Sequence, residues 1–388
     1  MESQKLRAQG ELKDLPDFIS NFAEKLHNRE FKLGAVKIKE FITNSSFIDN
    51  CFCHVEYPYV DAQYRDSFYF YHSSKNLHKE KECIRISLFK TSYISKDIFY
   101  TIGENIDDNF LGIIVIRPTK LKQIGRIVLS PLAFKLPPID IISRQFNFSI
   151  KGVSIAVDAF QNSGQDGEFY SCAETSLMSL SSYFSKYDDF NNQLPSNIHR
   201  LIDKVRVERI TSGVGLKQHE ISYTLKQFGF GTKMYLRNDD TKSTDFKNAF
   251  NDYIESGIPV LATVSTTEGD GHHSVLCIGF KNENKKKKRI SSRNKCFTDI
   301  ITDIISSDSV FESEREYIFI DDNFAPYKFG TFHKPTPYYK SESMQNASIS
   351  GFVVPLVNRI RMDSIRVRKL FTTLLDSEYS FIAKKKII

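Results

Sequence analysis

Three short runs of β-branched and aromatic residues, Val260-Leu261-Ala262-Thr263-Val264, Ser274-Val275-Leu276-Cys277-Ile278 and Tyr317-Ile318-Phe319-Ile320, close a stretch whose earlier part is patterned for helices. Each run has strand length and is bounded by glycine or polar residues. Ahead of them a helical pattern starts at Cys172, with Cys172, Ser176, Ser179 and Tyr183 on one stripe and Leu177, Leu180 and Phe184 on another. A second helix is expected over 216–228, closed by Gly229, and a third over 245–255, closed by Gly257 ahead of Pro259. Helices followed by a block of strands, without strict alternation, define an α+β unit.

The chain has 388 residues, which at ~100–200 per domain suggests two units. From Pro16 to Thr43 the apolar spacing predicts two short helices. Leu111 to Ile116, stopped by Arg117-Pro118, reads as a buried strand, and Gly125 to Leu129 as another. The aromatic cluster Phe68-Tyr69-Phe70-Tyr71 is read as strand, and Gly351 to Leu356, with its Pro355, as an edge or closing strand. Phe146–Ile150 and Val153–Val157 alternate with period two around Lys151-Gly152, which predicts a hairpin. Pro137-Pro138 marks the boundary. The expected division is an α+β region over 1–140, a second α+β domain over 141–360 with a lysine-rich insertion at 281–316, and a basic helical tail over 361–388.

Fifty-three Lys and Arg against 47 Asp and Glu leave a net charge of only +6, too mild and too scattered to point to nucleic acid. The densest block, Lys285 to Arg289, falls in the insertion and reads as solvated surface. No run approaches the ~18 apolar residues of a membrane span, and Met1-Glu2-Ser3-Gln4-Lys5 does not start a secretory leader. A cytoplasmic location without a membrane partner is therefore expected. Six cysteines in such a chain are too few for a disulfide framework, so each reads as core, metal ligand or nucleophile.

Cys172 stands where a helix begins, and there the unpaired amides and the helix dipole favour a thiolate. His273 opens a strand and can hold and deliver the proton. Asp321 and Asp322 end the next strand, which can pair antiparallel beside the His273 strand and supply the carboxylate that orients the ring. Gln165, shortly before Cys172, is the candidate side-chain donor to an oxyanion, together with the Cys172 amide. Cys51-Phe52-Cys53-His54 with Cys83 can be drawn as a zinc site, but its C-x-C spacing lacks a second close pair and core packing is the better reading.

Four segments together, Cys172-Ala173-Glu174-Thr175-Ser176-Leu177, Gly257-Ile258-Pro259-Val260, His273 to Phe280 and Tyr317 to Asp322, resemble the papain-like cysteine peptidases. The resemblance is nearest to the bacterial branch similar to double-glycine leader peptidases and spans about residues 161–326. It implies a papain-like fold, a nucleophile at Cys172, a base at His273 rather than His272, and an orienting carboxylate in the Asp321-Asp322 pair, with Asp322 favoured. Gly279 stands six residues after His273, as in those families. No cofactor and no metal are implied. The expected activity is hydrolysis of a peptide or isopeptide bond through a Cys172 thioester. The rivals are transglutaminase-like or amidase acyl transfer by the same residues, and a catalytically silent binding or sensor module. The N-terminal region is expected to be a recognition or regulatory module that engages a protein partner.

Overall fold

The helical spacing before Thr43 becomes two helices, α1 (Leu15–Lys25) and α2 (Arg29–Thr43), in a computed structural model that describes residues 5–75, 80–90, 106–187, 189–206, 215–237, 243–266, 272–282 and 314–376. Asn28 caps α2 by accepting from the Phe31 amide at 2.9 Å. The expected strand over the aromatic cluster is instead the end of a helix, α3 (Ala62–Phe70). Asp61 accepts from the Tyr64 amide at 3.0 Å, and this cap outweighs the β preference of the aromatic residues behind it.

The first sheet is antiparallel and runs β1 (Leu6–Glu11), β2 (Cys51–Tyr59), β3 (Cys83–Lys90), β4 (Phe110–Ile116, preceded by the short helix α4, Ile106–Asn109), β5 (Ile124–Leu129), then β8 (Val153–Ser163) and β7 (Arg144–Ile150). β7 and β8 form the expected hairpin, with φ of 49° at Lys151 and 85° at Gly152, as a tight two-residue turn requires. The hairpin does not follow the division near residue 140. The C-terminal half of β8 pairs with β5, so β7 and β8 belong to the first sheet, whereas β6 (Ile139–Ile141) belongs to the second.

The second sheet, also antiparallel, runs β13 (Lys328–Thr331), β12 (Glu316–Ile320), β11 (His272–Lys281), β10 (Val260–Ser265), β14 (Ser348–Val357) and β9 (Phe230–Leu236). The Gly351–Leu356 run is therefore not an edge strand, since β14 lies between β10 and β9. Pro355 is tolerated because the pairing with β10 reaches only Val353, beyond which β14 has one neighbour. β6 pairs with β11 at Gly279, Phe280 and Lys281, past the end of β10. Gly279 is required there, because a Cβ would lie 2.0 Å from the Asp140 carbonyl oxygen.

Between the sheets runs α5 (Cys172–Phe184), buried from Ala173 to Phe184 and touching both β8 and β11. Leu177 and Leu180 join Phe160, Leu276, Ile278 and Ile320 in one core that draws on both sheets. Burial of each such side chain is worth roughly 1.5–3 kcal/mol, so the helix and the residue at its head are firmly placed. Two of its hydroxyls bond inside the core: Ser179 to the Thr175 carbonyl at 2.9 Å and Ser182 to Gln161 at 3.0 Å. The far face of the second sheet is covered by α8 (Ser243–Glu255), whose Phe246, Phe250 and Tyr253 pack on Val275, Cys277, Phe319 and Phe352. Helices α6 (Pro195–Asp203) and α7 (Gln218–Gln227) complete the core around α5.

Two short or terminal helices follow, α9 (Glu342–Gln345) and α10 (Ser364–Asp376); the latter lies in the expected basic tail. Most of the 281–316 insertion, with Lys285 to Arg289, and the Lys384-Lys385-Lys386 end lie outside the described residues. Among the described residues no helix is long and apolar enough to cross a membrane.

Candidate active site

α5 begins at Cys172 because Ser171 is extended, with φ −100° and ψ 179°, and its amide donates to Glu174 Oε2 at 2.7 Å. Cys172 thus occupies the first helical position. It is half-buried, whereas the other cysteines of the described residues, Cys51, Cys53, Cys83 and Cys277, are buried. Burial pushes the Cys51 and Cys53 thiols up to about 12 and raises Cys83 and Cys277 as well, which suits core residues. Cys51 and Cys53 lie in the core shared with α5 while Cys83 lies in another cluster, so C-x-C and Cys83 do not assemble a ligand set.

His273 is the second residue of β11, paired with Val264 of β10, and is buried. Its Nε2 meets Asp321 Oδ1 at 3.1 Å and the Tyr339 hydroxyl at 3.0 Å. Cys172 is close enough to the same ring to raise its pKa. Among the described residues Nε2 is engaged by Asp321 and Tyr339, and Nδ1 makes no hydrogen bond. Burial disfavours the charged ring, but the charge and hydrogen bond of Asp321 and the neighbouring Cys172 together hold its pKa well above the ordinary histidine value. His272 is exposed and bonds Ser265 Oγ through Nδ1 at 2.9 Å, away from this row.

The two adjacent carboxylates differ sharply, and the preference for Asp322 is corrected. Asp321 is fully buried and receives four donors: His273 Nε2, the Asn323 amide at 3.0 Å, and the Tyr338 and Tyr339 hydroxyls, each at 3.1 Å to Oδ2. Four donors match the acceptor capacity of a carboxylate. Although burial opposes its charge, His273 and these donors hold its pKa below the usual range. Asp322 Oδ1 stands 3.8 Å from His273 Nε2 and has no hydrogen-bond partner, and Oδ2 has only the Thr175 hydroxyl at 3.4 Å. Burial, with the Asp321 charge adding to it, pushes Asp322 up to about 7. Strand alternation explains the choice: Val275 and Cys277, in register with His273, share a face with Tyr317 and Phe319, and Asp321 continues that face. Asp322 falls on the other face, toward Thr175 of α5.

The loop between β4 and β5 brings a further cation. Lys122 donates to Asn323 Oδ1, and its ammonium feels the charges of Asp322, Asp321 and Cys172, although burial lowers its pKa. The loop is pinned from within: the Arg117 amide bonds the Gln123 carbonyl at 2.7 Å, Thr119 Oγ1 bonds the Lys122 carbonyl at 2.6 Å, and Gln123 Nε2 bonds the Thr119 carbonyl at 2.8 Å. Arg117 Nη2 also reaches the Lys122, Ile124 and Gln165 carbonyls at 3.0, 3.1 and 2.9 Å, and Nη1 donates to the Tyr170 hydroxyl. Asp166 shapes the approach to Cys172 by accepting from the Glu168, Phe169 and Tyr170 amides through Oδ1, while its Oδ2 bonds His72 at 3.2 Å. Residues of the first 140 therefore build the turn that leads into Cys172.

Gln165 is half-buried in a cleft of ≈ 370 Å³ that Lys122, Asp322, Asn323 and Lys328 also line, and its Nε2 meets Asn323 Oδ1 at 3.4 Å. Its side chain is thus on the cleft wall beside Asp322 and Asn323. Among the described residues, His273, Asp321 and Asp322 have donor atoms within 4.8 Å of one another, the spacing a metal ion needs. Two facts oppose a cation there: the acceptor positions of Asp321 are occupied by protein donors, and the Lys122 ammonium stands close by. Sequence reading missed Lys122, Arg117, Tyr338, Tyr339 and Asn323. No protein-family model matches the chain, and no curated protein matches it.

Proposed function

We propose that the chain is a papain-like thiol peptidase that hydrolyses peptide or isopeptide bonds. The observation that carries this reading is the row formed by Cys172 at the head of α5, His273, and Asp321 at 3.1 Å from the ring. The sulfur of Cys172 attacks the substrate carbonyl carbon while His273 holds the thiol proton on Nδ1. The oxyanion that forms faces the unpaired amides at the start of α5, the Cys172 amide among them. The C–N bond then breaks as His273 gives its proton to the departing amine, leaving a thioester on Cys172. Water adds to the thioester, passes a proton to His273, and releases the acid and the thiol. Asp321 keeps the ring oriented and offsets its charge throughout, as the carboxylate of a triad does.

The N-terminal region supports this reading as part of the catalytic apparatus, since Lys122 and Arg117 come from it. A test is labelling of the full chain with iodoacetamide at neutral pH, followed by mapping of the modified cysteine and assay of a mixed peptide library. Cys172 is expected to react first, and Cys172→Ala and His273→Ala to lose hydrolysis while keeping the unfolding midpoint. Preferential modification of another cysteine, or hydrolysis that survives in Cys172→Ala, overturns the assignment. Adding a primary amine separates hydrolysis from acyl transfer by the product it yields.

A further inference from the structure

Two half-buried lysines converge on the cleft beside the triad. Lys122 comes from the pinned β4–β5 loop of the first sheet and Lys328 from β13 of the second, and both line the ≈ 370 Å³ space. Among the described residues neither ammonium is ion-paired: Lys122 donates to the neutral Asn323 amide oxygen, and Lys328 lies over the rings of Phe324 at 5.6 Å and Tyr338 at 6.0 Å. Burial lowers the pKa of both, the mark of cations partly stripped of water without a full counter-charge. The carboxylates already in the cleft do not meet that need. Glu40 is taken by Lys37 at 2.8 Å, burial pushes Asp322 toward its neutral form, and the Asp321 charge that both lysines feel lies outside the cleft lining and is met by its own donors. The cleft has the size of a small-ligand pocket and opens beside Asp322, so a substrate spanning the triad would lay part of itself there.

We propose that this cleft binds a carboxylate of the substrate between Lys122 and Lys328, so that the enzyme selects chains bearing an acidic group next to the scissile bond. The proposal rests on the peptidase reading for its substrate. The carboxylate can belong to a Glu or Asp side chain or to a free C-terminus. Both present the same pair of oxygens to two ammonium groups that reach the cleft from different sheets.

The test uses the full chain carrying Cys172→Ala and fluorescein-labelled peptide pools in which one position is fixed as Glu, Gln or Lys and the C-terminus is free acid or amide. Binding is followed by fluorescence anisotropy. At one fixed position Glu, or at the end the free acid, is expected to bind about tenfold or more tightly than its neutral counterpart, as charge-assisted hydrogen bonds in a half-buried site provide. Which pool responds identifies the source of the carboxylate. Adding Lys328→Gln or Lys122→Gln should erase most of the preference, and Lys328→Glu should turn it toward Lys. Equal binding of acid and neutral pools by the chain with both lysines intact overturns the proposal, as does a preference that survives both substitutions. Cleavage of the same pools by the chain with Cys172 in place is scored separately. A peptidase with no acidic preference sinks only this inference, and acidic binding without Cys172-dependent cleavage sinks only the peptidase reading.

Discussion

Arg117 and Tyr170 are joined side chain to side chain across 53 residues of chain, and the phenol so held stands two residues before Cys172. The guanidinium also holds three backbone carbonyls, those of Lys122, Ile124 and Gln165. Its removal would take this donor from the Ile124 and Gln165 carbonyls, while Thr119 Oγ1 keeps the Lys122 carbonyl engaged. Arg117→Met is therefore expected to cost roughly 2–5 kcal/mol of stability and to slow Cys172 alkylation even where the chain stays folded. Urea unfolding and the alkylation rate check this, and a variant with unchanged values for both would remove Arg117 from the account.

Asp321 should govern the charge of His273. Its carboxylate is what holds the ring pKa well above the ordinary value against burial, so Asp321→Asn should lower that pKa, and the imidazolium should be lost at a lower pH than in the parent. The expected loss in kcat/KM is on the order of 10²–10⁴-fold. Imidazole titration by NMR gives the midpoint directly. If it stays in place, Asp321 does not orient the ring.

Asp322 carries the opposite linkage. Its pKa is raised in the folded chain to about 7, so the fold retains a proton that the unfolded chain has already lost. Stability then falls as pH rises from the ordinary carboxylate value of about 4 toward 7. Asp322→Asn removes the dependence, and above pH 7 it should exceed the parent by on the order of 1–3 kcal/mol, with little difference near pH 4. Urea midpoints at the two ends of that window decide the matter, and a parent whose advantage over the variant grows with pH would contradict it.

Gly279→Ala should separate β6 from β11. The new Cβ would meet the Asp140 carbonyl oxygen at 2.0 Å and Ile141 Cα at 2.8 Å, and backbone atoms cannot step aside as a flexible side chain can. A loss of about 2–4 kcal/mol follows from such overpacking. Gly215→Ala, where a Cβ meets nothing within 4 Å, serves as the control and should stay within about 0.5 kcal/mol.

Much of the fold was legible because its signals are local. The Cys172 helix, the strands around Val260, Ser274 and Tyr317 and the Lys151-Gly152 hairpin follow from periodicity and turn chemistry, and the structure has each of them. Asp321 was also within reach, since period two from Tyr317 and Phe319 selects it over Asp322, whereas the spacing of the resemblance favours Asp322. Lys122, Tyr338 and Tyr339 were out of reach: they lie in loops, carry no periodic signature, and approach His273 or its carboxylates only through tertiary packing. The α3 helix was hard to read because the aromatic residues Phe68 to Tyr71 favour strand, while the Asp61 cap that starts it is a single residue's signal.

The excursion of the backbone through β6 is a stitch: the chain docks three residues on the far sheet, comes back to lay down β7 and β8, and only then crosses for good. No single scission in the 137–145 stretch can therefore release two self-sufficient halves. A polypeptide nicked there should still migrate as one particle under native conditions and come apart only when the shared interior melts.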